Sequence, residues 1–544
     1  EIRLECRNPD FVPKNRAWLP MGIYLRLRDG TTVELPSPDQ GVRPAPPRPA
    51  PDWAGLRLIP QPTAWTPAPG SLTVGLLRCG HEAFAAADAL GQRMGLGALT
   101  GSGGSPVTIK DDPALPAEGY RLTIQPDSLS VDAADRAGVF NAAVTLLTLR
   151  ATHDGALPCG VIEDHPRFHW RGQHMDCARH FVQPETLERL LDLMALLKMN
   201  RFHWHFSDDE AFRLEVETAP SLWQKTAFRG EGLPIPGLFG GGVRAGGSYS
   251  KDFARHLVAR GRALNIEILP EVELPAHAYA LNAVLPGLRD PGDNGSEVSI
   301  QGYESNAINP AMPATWNLVL PLLHEVAELF PIGMVHLGCD ELPPDTWAGS
   351  PRVAELMARE GLATRDDVQG WMMERVAADL ECRGIRSAAW EEAAKGANGG
   401  VGHAALLFSW TGQGPGIEAA RRGYDIVMCP AQHLYLDMAH GSDPDDWGAT
   451  WAATVDLGDT VNWQVVPEGA EDVAGRIMGV QGTFWGEFTT DDSQIEPMLA
   501  PRILGVSQMG WGADRQIKGP QLRAIAAHYG AVFDRAQWNW HRGA

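Results

Sequence analysis

The regular alternation of two kinds of segment after residue 166 constrains the fold more than any other feature of this sequence. Short runs rich in apolar and β-forming residues alternate with longer segments in which apolar residues recur at helical spacing. The eight short runs are HWRGQHMDC, RFHWHFS, NIEILPEV, MVHLGCDE, RSAAWEE, ALLFSW, DIVMCP and VQGTFWGE. Alternation of this kind is typical of parallel βαβ units, and eight units predict an α/β fold, a closed (β/α)8 barrel of the TIM type.

The residues before the barrel predict smaller units. The runs GYRLTIQ and SLSVDA have the pattern of paired strands, and RAGVFNAAVTLLTLRA has that of a helix. Further upstream lie one strand-like run, MGIYLRLRDG, and the proline-rich stretch GVRPAPPRPAPDW, which is typical of an extended linker. We therefore predict a short N-terminal segment with a linker (1–45), a small α+β domain (46–165) and the barrel (166–544).

The charge and the hydropathy pattern exclude several classes of partner. The 544 residues carry a formal net charge of −21, which suits neither nucleic acid nor an anionic membrane because phosphate groups attract basic surfaces. No run reaches the roughly 18 apolar residues of a membrane span, and EIRLECRNPD lacks the basic and apolar regions of a signal peptide. We expect a soluble protein without nucleic-acid or membrane partners, in a bacterial-type cytoplasm or periplasm, as a monomer or a homodimer.

The cysteines indicate neither a disulfide framework nor a zinc knuckle. Seven of them are scattered along the chain and none belongs to a CxxC pair. Most are expected to be buried as small apolar side chains.

The ends of the predicted barrel strands carry carboxylates and aromatic residues. In a (β/α)8 barrel the carboxyl ends of all eight strands meet at one face, where the active site lies. Carboxylates supply proton transfer and accept from hydroxyls, so this set suits carbohydrate hydrolysis. An alternative remains open for each Asp, which can instead cap the helix that follows. The residues at these ends are Asp176, Arg179, Asp208, Asp209, Glu271, Glu273, His277, Asp340, Glu341, Trp390, Glu392, Trp410, Tyr435, Asp437, Trp485 and Glu487.

A metal-dependent hydrolase is an alternative that the second predicted strand suggests. His203 and His205, followed by Asp208 and Asp209, resemble the HxH metal sites of barrel enzymes. Such a site requires further His or Asp ligands from later strands. The later strand ends offer Trp, Tyr and Glu instead, so we predict that the protein uses no metal and no cofactor.

An ordered series of motifs resembles glycoside hydrolase family 20, the β-N-acetylhexosaminidases. The matches span the predicted barrel and, through IPQPTAW and IEDHPRFHWRG, reach the smaller domain before it. Because the motifs fall in the family's order, the resemblance is specific. The barrel motifs are RGQHMDCARHF (171–181), HWHFSDDEAFR (203–213), LPEVELPAHA (269–278), INPAMPATW (308–316), VHLGCDEL (335–342), WEE (390–392), YLD (435–437) and FWGE (484–487).

The resemblance implies an exo-acting retaining glycosidase in which the 2-acetamido group of the substrate is the nucleophile. Glu341 would be the general acid and base, and Asp340 would orient the acetamido N–H and stabilise the oxazolinium intermediate. Tyr435 would donate its hydroxyl to the acetamido oxygen. Asp208 and His277 would form a relay towards Glu341 that tunes its proton affinity.

The resemblance also implies how a terminal N-acetylhexosamine would be held. Arg179 would bind the 3- and 4-hydroxyls, since its guanidinium offers several fixed donors. Glu487 would accept from the 4-hydroxyl and Asp437 from the 6-hydroxyl. The acetamido pocket and the sugar ring would be walled by Trp390, Trp410 and Trp485. GlcNAc and GalNAc both stay open as the terminal sugar, as do chitin fragments, glycans and glycolipids as substrates.

Two questions stay open beside this interpretation. The segment 440–470 contains Trp447, Trp451 and Trp463 and would form either a platform for the leaving group or a packed loop, with at least one Trp expected to face the leaving group. A catalytically silent sugar-binding protein is the second alternative to an enzyme. Retention of Asp340, Glu341 and Tyr435 argues against a silent protein.

Overall fold

The structure of the chain is a computed structural model. The structure describes residues 3–5, 24–26, 32–34, 56–73, 75–237, 242–293, 306–443, 446–512 and 517–543. Near the amino terminus, strands β1 (Arg3–Glu5), β2 (Tyr24–Arg26) and β3 (Thr32–Glu34) form an antiparallel sheet. Strand β2 lies inside the predicted run MGIYLRLRDG, whereas the predicted proline-rich linker lies outside the described residues. The division of the chain at residues 45 and 165 stays a prediction.

The α+β unit before the barrel is built on a six-stranded sheet. Its strands occur in the order β4-β9-β7-β8-β6-β5. The two runs predicted to pair are β7 and β8, which are antiparallel, with Tyr120 opposite Ala133. The elements are β4 (Ala64–Thr73), β5 (Leu77–Arg78), α1 (Glu82–Arg93), β6 (Ser105–Asp111), β7 (Tyr120–Ile124), β8 (Leu129–Ala133), α2 (Arg136–Thr152) and β9 (Ala156–Asp164).

Helix α2 coincides with the run predicted to be helical, and it is capped at its start and buried. Asp135, in extended conformation, accepts from the backbone N–H of Gly138 and so caps the first turn. Nearly every residue of the helix is buried, because one side faces the sheet and the other faces the barrel. A helix that is apolar on all sides is typical of this position between two layers.

The second unit is a closed barrel, which confirms the predicted (β/α)8 fold. Its eight strands are those predicted, in the order β10-β11-β16-β17-β18-β19-β20-β21, and all neighbours are parallel. The strands are β10 (Trp170–Asp176), β11 (Arg201–His205), β16 (Glu267–Glu271), β17 (Met334–His336), β18 (Arg386–Trp390), β19 (Leu406–Ser409), β20 (Asp425–Met428) and β21 (Ile477–Gly482), with short hairpin strands β12 (Ser207–Asp208), β13 (Ala211–Phe212), β14 (Phe228–Arg229) and β15 (Ala245–Gly246).

Helices cover the outside of the barrel. The first of them starts at Pro184 and buries Leu187, Leu190, Leu191 and Met194 on one face. The helices are α3 (Pro184–Leu196), α4 (Ser221–Thr226), α5 (Lys251–Ala263), α6 (Tyr279–Val284), α7 (Pro313–Leu329), α8 (Pro351–Glu360), α9 (Arg365–Cys382), α10 (Gln413–Arg421), α11 (Ala431–Leu434), α12 (Ile495–Leu499), α13 (Ile503–Trp511), α14 (Gly519–Ala526) and α15 (Gly530–Arg535).

The barrel closes where its first and last strands meet. Trp170 of β10 lies opposite Gly479 of β21. A Cβ atom at Gly479 would lie 1.8 Å from the carbonyl oxygen of Trp170. Only glycine therefore allows the two strands to approach at this point.

Strand β17 ends before the Asp340–Glu341 pair. After His336 the chain turns through three residues with left-handed backbone, Gly338 (φ +63°), Cys339 (φ +80°) and Glu341 (φ +48°). A Cβ at Gly338 would lie 1.6 Å from a carboxyl oxygen of Glu273. Because the pair lies on a turn, the side chains do not alternate between the two faces of a sheet, and both can face the same pocket.

Two further observations on the described residues concern the state of the cysteines and the length of the helices. The six cysteines in the described part of the chain are all free, and four of them are buried. Among the described residues no helix is both long and apolar enough to cross a membrane.

Candidate active site

A pocket of about 490 Å³ opens at the carboxyl ends of the barrel strands. The family resemblance gave a catalytic or binding role to eleven residues. Nine of them line this pocket, and the other two, Asp208 and Trp390, lie beneath it. The lining residues are Arg179, His277, Asp340, Glu341, Trp410, Tyr435, Asp437, Trp451, Trp485, Glu487 and Phe488. Side chains from distant parts of the chain thus converge, although their roles in catalysis and binding stay predictions.

The acidic pair lies on one wall of the pocket beside a histidine. His277 Nε2 is 3.3 Å from Glu341 Oε2 and 3.8 Å from Asp340 Oδ2. Asp340 is buried, whereas the Glu341 side chain is 30% exposed and reaches the pocket. Burial raises the pKa of Asp340 to about 7, and the Glu341 carboxylate adds to the rise while His277 opposes it. The two carboxyl groups therefore differ in environment, Asp340 being buried and Glu341 reaching the pocket.

A line of close contacts continues from Glu341 into the protein. The Nδ1 atom of His277 lies 3.2 Å from Asp208 Oδ1. Burial lowers the pKa of His277, but the charges of Asp208 and Asp340 outweigh burial and raise it well above its ordinary value. His277 is held in a left-handed backbone conformation (φ +48°), which aims its ring between the two acids. The structure thus brings Asp208, His277 and Glu341 together, and their action as a relay stays a prediction.

Arg179 is fixed by several carboxylates. Its Nη1 lies 2.7 Å from Asp208 Oδ2, and its Nε donates to Glu210 Oε2 at 3.0 Å. The guanidinium carbon lies 5.1 Å from the centre of the Trp485 ring. Glu210 was not among the predicted site residues; its place in the run SDDE, beside Asp208, was the available signal. Burial, with Asp208 and Asp209 adding, raises the pKa of Glu210 to about 8.

Asp437 and Glu487 lie on the pocket wall near this arginine. Burial raises the pKa of Asp437 to about 7 and that of Glu487 to about 8, and Arg179 opposes the rise at Glu487. A carboxyl group with its pKa near neutrality can both donate to and accept from a hydroxyl group. Both positions suit the binding of sugar hydroxyls.

The aromatic wall differs from the prediction in one respect. Trp410 and Tyr435 lie nearly parallel, with ring centres 6.3 Å apart, and Trp485 completes the wall. Trp390 is fully buried and packs 5.8 Å from the Trp485 ring, so it supports the wall from below instead of lining it. Burial raises the pKa of Tyr435 well above its ordinary value, which keeps the hydroxyl protonated as a donor.

The three tryptophans of the segment 440–470 have different environments. Trp451 lines the pocket and stands edge-on to Trp410, with ring centres 6.0 Å apart. Trp463 is buried and stacks on His433. Trp447 is partly exposed. The sequence left open whether this segment forms a platform for the leaving group or a packed loop. The position of Trp451 fits a platform, and that of Trp463 fits a packed loop.

Two of the carboxylates at strand ends hold the backbone. Asp176 accepts from the backbone N–H groups of Ala178, Arg179 and Gly486. Asp209 accepts from the backbone N–H of Tyr279. Asp176 and Asp209 thus bind backbone groups, although neither caps the helix that follows its own strand, and Asp209 holds the loop that carries His277.

A cluster of four buried histidines surrounds Glu271 below the pocket. Their ring nitrogens could share a cation with Glu271, since ligand atoms of overlapping groups lie within 4.8 Å of one another. The same atoms lie at hydrogen-bond distances, however: His205 Nδ1 at 2.6 Å, His336 Nδ1 at 2.7 Å and His203 Nε2 at 3.1 Å from the carboxylate. That the protein uses no metal stays a prediction.

Comparison with known proteins gives the same family as the motifs. Residues 168–514 match the catalytic domain of glycosyl hydrolase family 20, and residues 55–165 match domain 2 of that family. The beta-hexosaminidase of Vibrio furnissii is 33% identical over 76% of this chain and 68% of its own, and that of Akkermansia muciniphila is 30% identical over 73% and 80%. The chain spans 56% of the beta-hexosaminidase of Vibrio vulnificus.

A solved structure extends the likeness to the whole fold. The GH20 exo beta-N-acetylglucosaminidase from Vibrio harveyi, solved in complex with N-acetylglucosamine, has a TM-score of 0.84 and is 29% identical. The alignment covers 95% of this chain and 84% of that one. Together with the barrel and the acidic pocket at its carboxyl face, these matches show that the chain is a glycoside hydrolase and belongs to glycosyl hydrolase family 20.

Proposed function

We propose that the protein is a retaining exo-β-N-acetylhexosaminidase that releases terminal β-linked GlcNAc or GalNAc through an oxazolinium intermediate. The observation that carries this proposal is the Asp340–Glu341 pair, which lies on a turn beside His277 in the pocket at the carboxyl ends of the barrel strands. The pocket has a wall of Trp410, Tyr435 and Trp485. The names of the relatives support the same substrate class.

In the first step the acetamido oxygen attacks the anomeric carbon and the glycosidic bond breaks. Glu341 gives its proton to the departing oxygen, so the leaving group departs as a neutral alcohol. Asp340 accepts the acetamido N–H and stabilises the positive charge that develops on the oxazolinium ring. Tyr435 donates to the acetamido oxygen and holds it in line with the anomeric carbon.

In the second step water opens the oxazolinium ring. Glu341, now a carboxylate, takes a proton from the water, which forms a bond to the anomeric carbon while the bond to the acetamido oxygen breaks. The sugar leaves with its original anomeric configuration because two inversions have occurred. His277 lies 3.3 Å from Glu341 and, paired with Asp208, adjusts the proton affinity of Glu341 between the two steps.

The binding of the terminal sugar follows from the donors and acceptors around it. Arg179 cannot swing freely because Asp208, Glu210 and His277 contact its three nitrogens. The N–H groups that these contacts leave over are therefore fixed for the 3- and 4-hydroxyls. Glu487 and Asp437 accept from the 4- and 6-hydroxyls. A pocket that ends at these side chains supports exo cleavage of one residue at a time.

The stereochemistry of the product tests this mechanism. Incubation with 4-nitrophenyl β-N-acetylglucosaminide is expected to release nitrophenol, and proton NMR is expected to show the β anomer of the sugar first. Exhaustive dialysis against a chelator serves as the control and should leave the rate unchanged. An α anomer formed first, a covalent glycosyl-enzyme in the mass spectrum or loss of activity on chelation would contradict the proposal.

Trp451 is expected to contact the leaving group. It lines the pocket beside Trp410 and is 40% exposed, so its ring is available to pack on a second sugar. Trp451→Ala should raise KM for N,N′-diacetylchitobiose about tenfold, which corresponds to ~1.4 kcal/mol of lost binding, because apolar contact with the second sugar is removed. The matched control is Trp447→Ala, from the same loop. Equal effects on chitobiose and on a methyl glycoside, which lacks the second sugar, would contradict this role.

A further inference from the structure

We propose that His205 is a positioning residue for the general acid, extending the relay from Asp208 into the barrel core. The proposal rests on the proposed function, in which Glu341 is the acid and Asp208 and His277 adjust its proton affinity. His205 does not line the pocket, so it would act only through Asp208. Its role explains why the HxH pair on β11 is placed below a pocket that other residues line.

The geometry forms one continuous line of alternating acids and imidazoles. From the pocket inward, Glu341 is followed by His277, Asp208, His205 and Glu271. The successive contacts are 3.3, 3.2, 2.8 and 2.6 Å. Each imidazole in this line stands between two carboxyl groups. Movement or loss of charge at one member is therefore transmitted to its neighbours.

His205 holds the carboxylate that orients His277. Its Nε2 lies 2.8 Å from Asp208 Oδ2, and its Nδ1 lies 2.6 Å from Glu271 Oε2. Burial would lower the pKa of His205, but the Glu271 carboxylate and the hydrogen bonds to Asp208 and Glu271 outweigh burial and raise it to about 10. As an imidazolium the ring donates from both nitrogens. Asp208 is then kept ionised and aimed at His277.

Glu271 in turn is anchored by the cluster around it. His336 Nδ1 lies 2.7 Å from its carboxylate, and His203 Nε2 lies 3.1 Å away. These contacts, with His205, hold the pKa of Glu271 well below its ordinary value although burial acts in the opposite direction. Glu271 therefore stays ionised and supplies the fixed charge against which His205 is protonated.

His203 provides a matched comparison within the same strand. Both histidines belong to β11, both are fully buried, and both contact Glu271. The other nitrogen of His203 lies 3.1 Å from the Gln481 amide, whereas that of His205 contacts Asp208. The two residues thus share burial and the contact with Glu271, and they differ in their link to the relay.

The experiment compares two leaving groups in three variants. His205→Asn places an amide near the Nδ1 position, towards Glu271, and removes the donor to Asp208. His205→Gln places an amide near the Nε2 position and keeps that donor. His203→Asn is the control. Each is assayed for kcat and KM on a phenyl β-N-acetylglucosaminide, which needs a proton on its leaving oxygen, and on a 2,4-dinitrophenyl one, which does not.

We expect His205→Asn to lower kcat on the phenyl substrate roughly 10- to 100-fold, with a much smaller loss on the dinitrophenyl substrate, because only protonation of the leaving group is impaired. His205→Gln should recover part of the loss, and His203→Asn should leave the ratio of the two substrates at its wild-type value. Thermal unfolding is measured in parallel. If His205→Asn does not fold, His205→Gln carries the test and should show a weaker form of the same discrimination.

Equal losses on both substrates, or the same discrimination in His203→Asn, would overturn the proposal, since a general loss of packing acts on both leaving groups alike. Failure of the proposed function gives a different result. In that case the wild-type enzyme itself would hydrolyse neither substrate. Alternatively, it would hydrolyse both, but loss of the general acid in Glu341→Gln would not slow the phenyl substrate more than the dinitrophenyl substrate.

Discussion

Replacement of Glu341 by Gln is expected to lower kcat by about 10²- to 10⁴-fold on substrates with poor leaving groups, the range that a positioned general acid contributes. Glutamine has nearly the same shape and can still accept from His277, which lies 3.3 Å from the carboxylate. It cannot donate a proton to the glycosidic oxygen. The loss of kcat should therefore be largest for chitobiose and smallest for a dinitrophenyl glycoside. The KM for chitobiose should change little.

A matched variant on another acid separates protonation from general damage. Glu210→Gln removes a buried carboxyl group that contacts Arg179 at 3.0 Å and lies outside the line to Glu341. It should affect both leaving groups to a similar extent. A Glu341→Gln enzyme that keeps its rate on chitobiose would show that another group is the acid.

The second large effect is expected at Asp340. Asp340→Asn should lower kcat about 10²- to 10³-fold, the size of effect seen when one preorganised electrostatic contact to a developing charge is removed. The amide can no longer accept the acetamido N–H as an anion or balance the oxazolinium charge. The loss should be similar for good and poor leaving groups, because bond formation by the acetamido oxygen is required in both cases. This pattern is opposite to that of Glu341→Gln.

Binding of a thiazoline analogue of the oxazolinium tests independently how much the Asp340 carboxylate stabilises this intermediate. The wild-type enzyme should bind it at least about 10²-fold more tightly than substrate, as intermediate analogues do, and Asp340→Asn should lose most of this preference. Because burial raises the pKa of Asp340 to about 7, its anion forms above that pH. The ratio of the wild-type affinity for the thiazoline to that of Asp340→Asn should therefore rise as the pH approaches 7 and level off above it. Equal affinities in the two proteins would contradict the role of Asp340.

The alternation of strands and helices was sufficient to predict the barrel. Burial on both faces of a parallel strand produces short apolar runs such as ALLFSW and DIVMCP, and these carry their information locally. The exact ends of the strands were not predictable in the same way. The run VQGTFWGE was expected to be the last strand, but β21 spans Ile477–Gly482, because the residues after Gly482 leave the sheet to form the pocket wall.

The residues at the pocket were also predictable, since strand ends in a barrel meet at one face. Asp340, Glu341, His277 and Arg179 all line the pocket. Trp390 shows the limit of this argument. Whether a residue at a strand end points into the pocket or beneath it depends on where the strand stops, and Trp390 is the last residue of β18.

The network beneath the pocket could not be derived from spacing. Asp208, His205 and Glu271 come from a hairpin and two strands, and nothing in their spacing along the chain marks them as partners. The contacts of 2.6 and 2.8 Å that His205 makes appear only when β11 and β16 pair in register, with His205 opposite Glu271. The HxH pattern therefore resembled a metal site before its hydrogen-bond partners were known.

The sequence by itself determined the fold class, the family and the residue types at the catalytic face, because periodicity and motif order are properties of the chain. Only the tertiary structure decided which acids contact which histidines, which ring lines the pocket and which carboxylates fix Arg179. The physical reason is that proton affinity depends on charges and burial within a few ångströms. Neighbours at that distance are as far apart in the chain as His205 and Glu271, and only barrel closure brings them together.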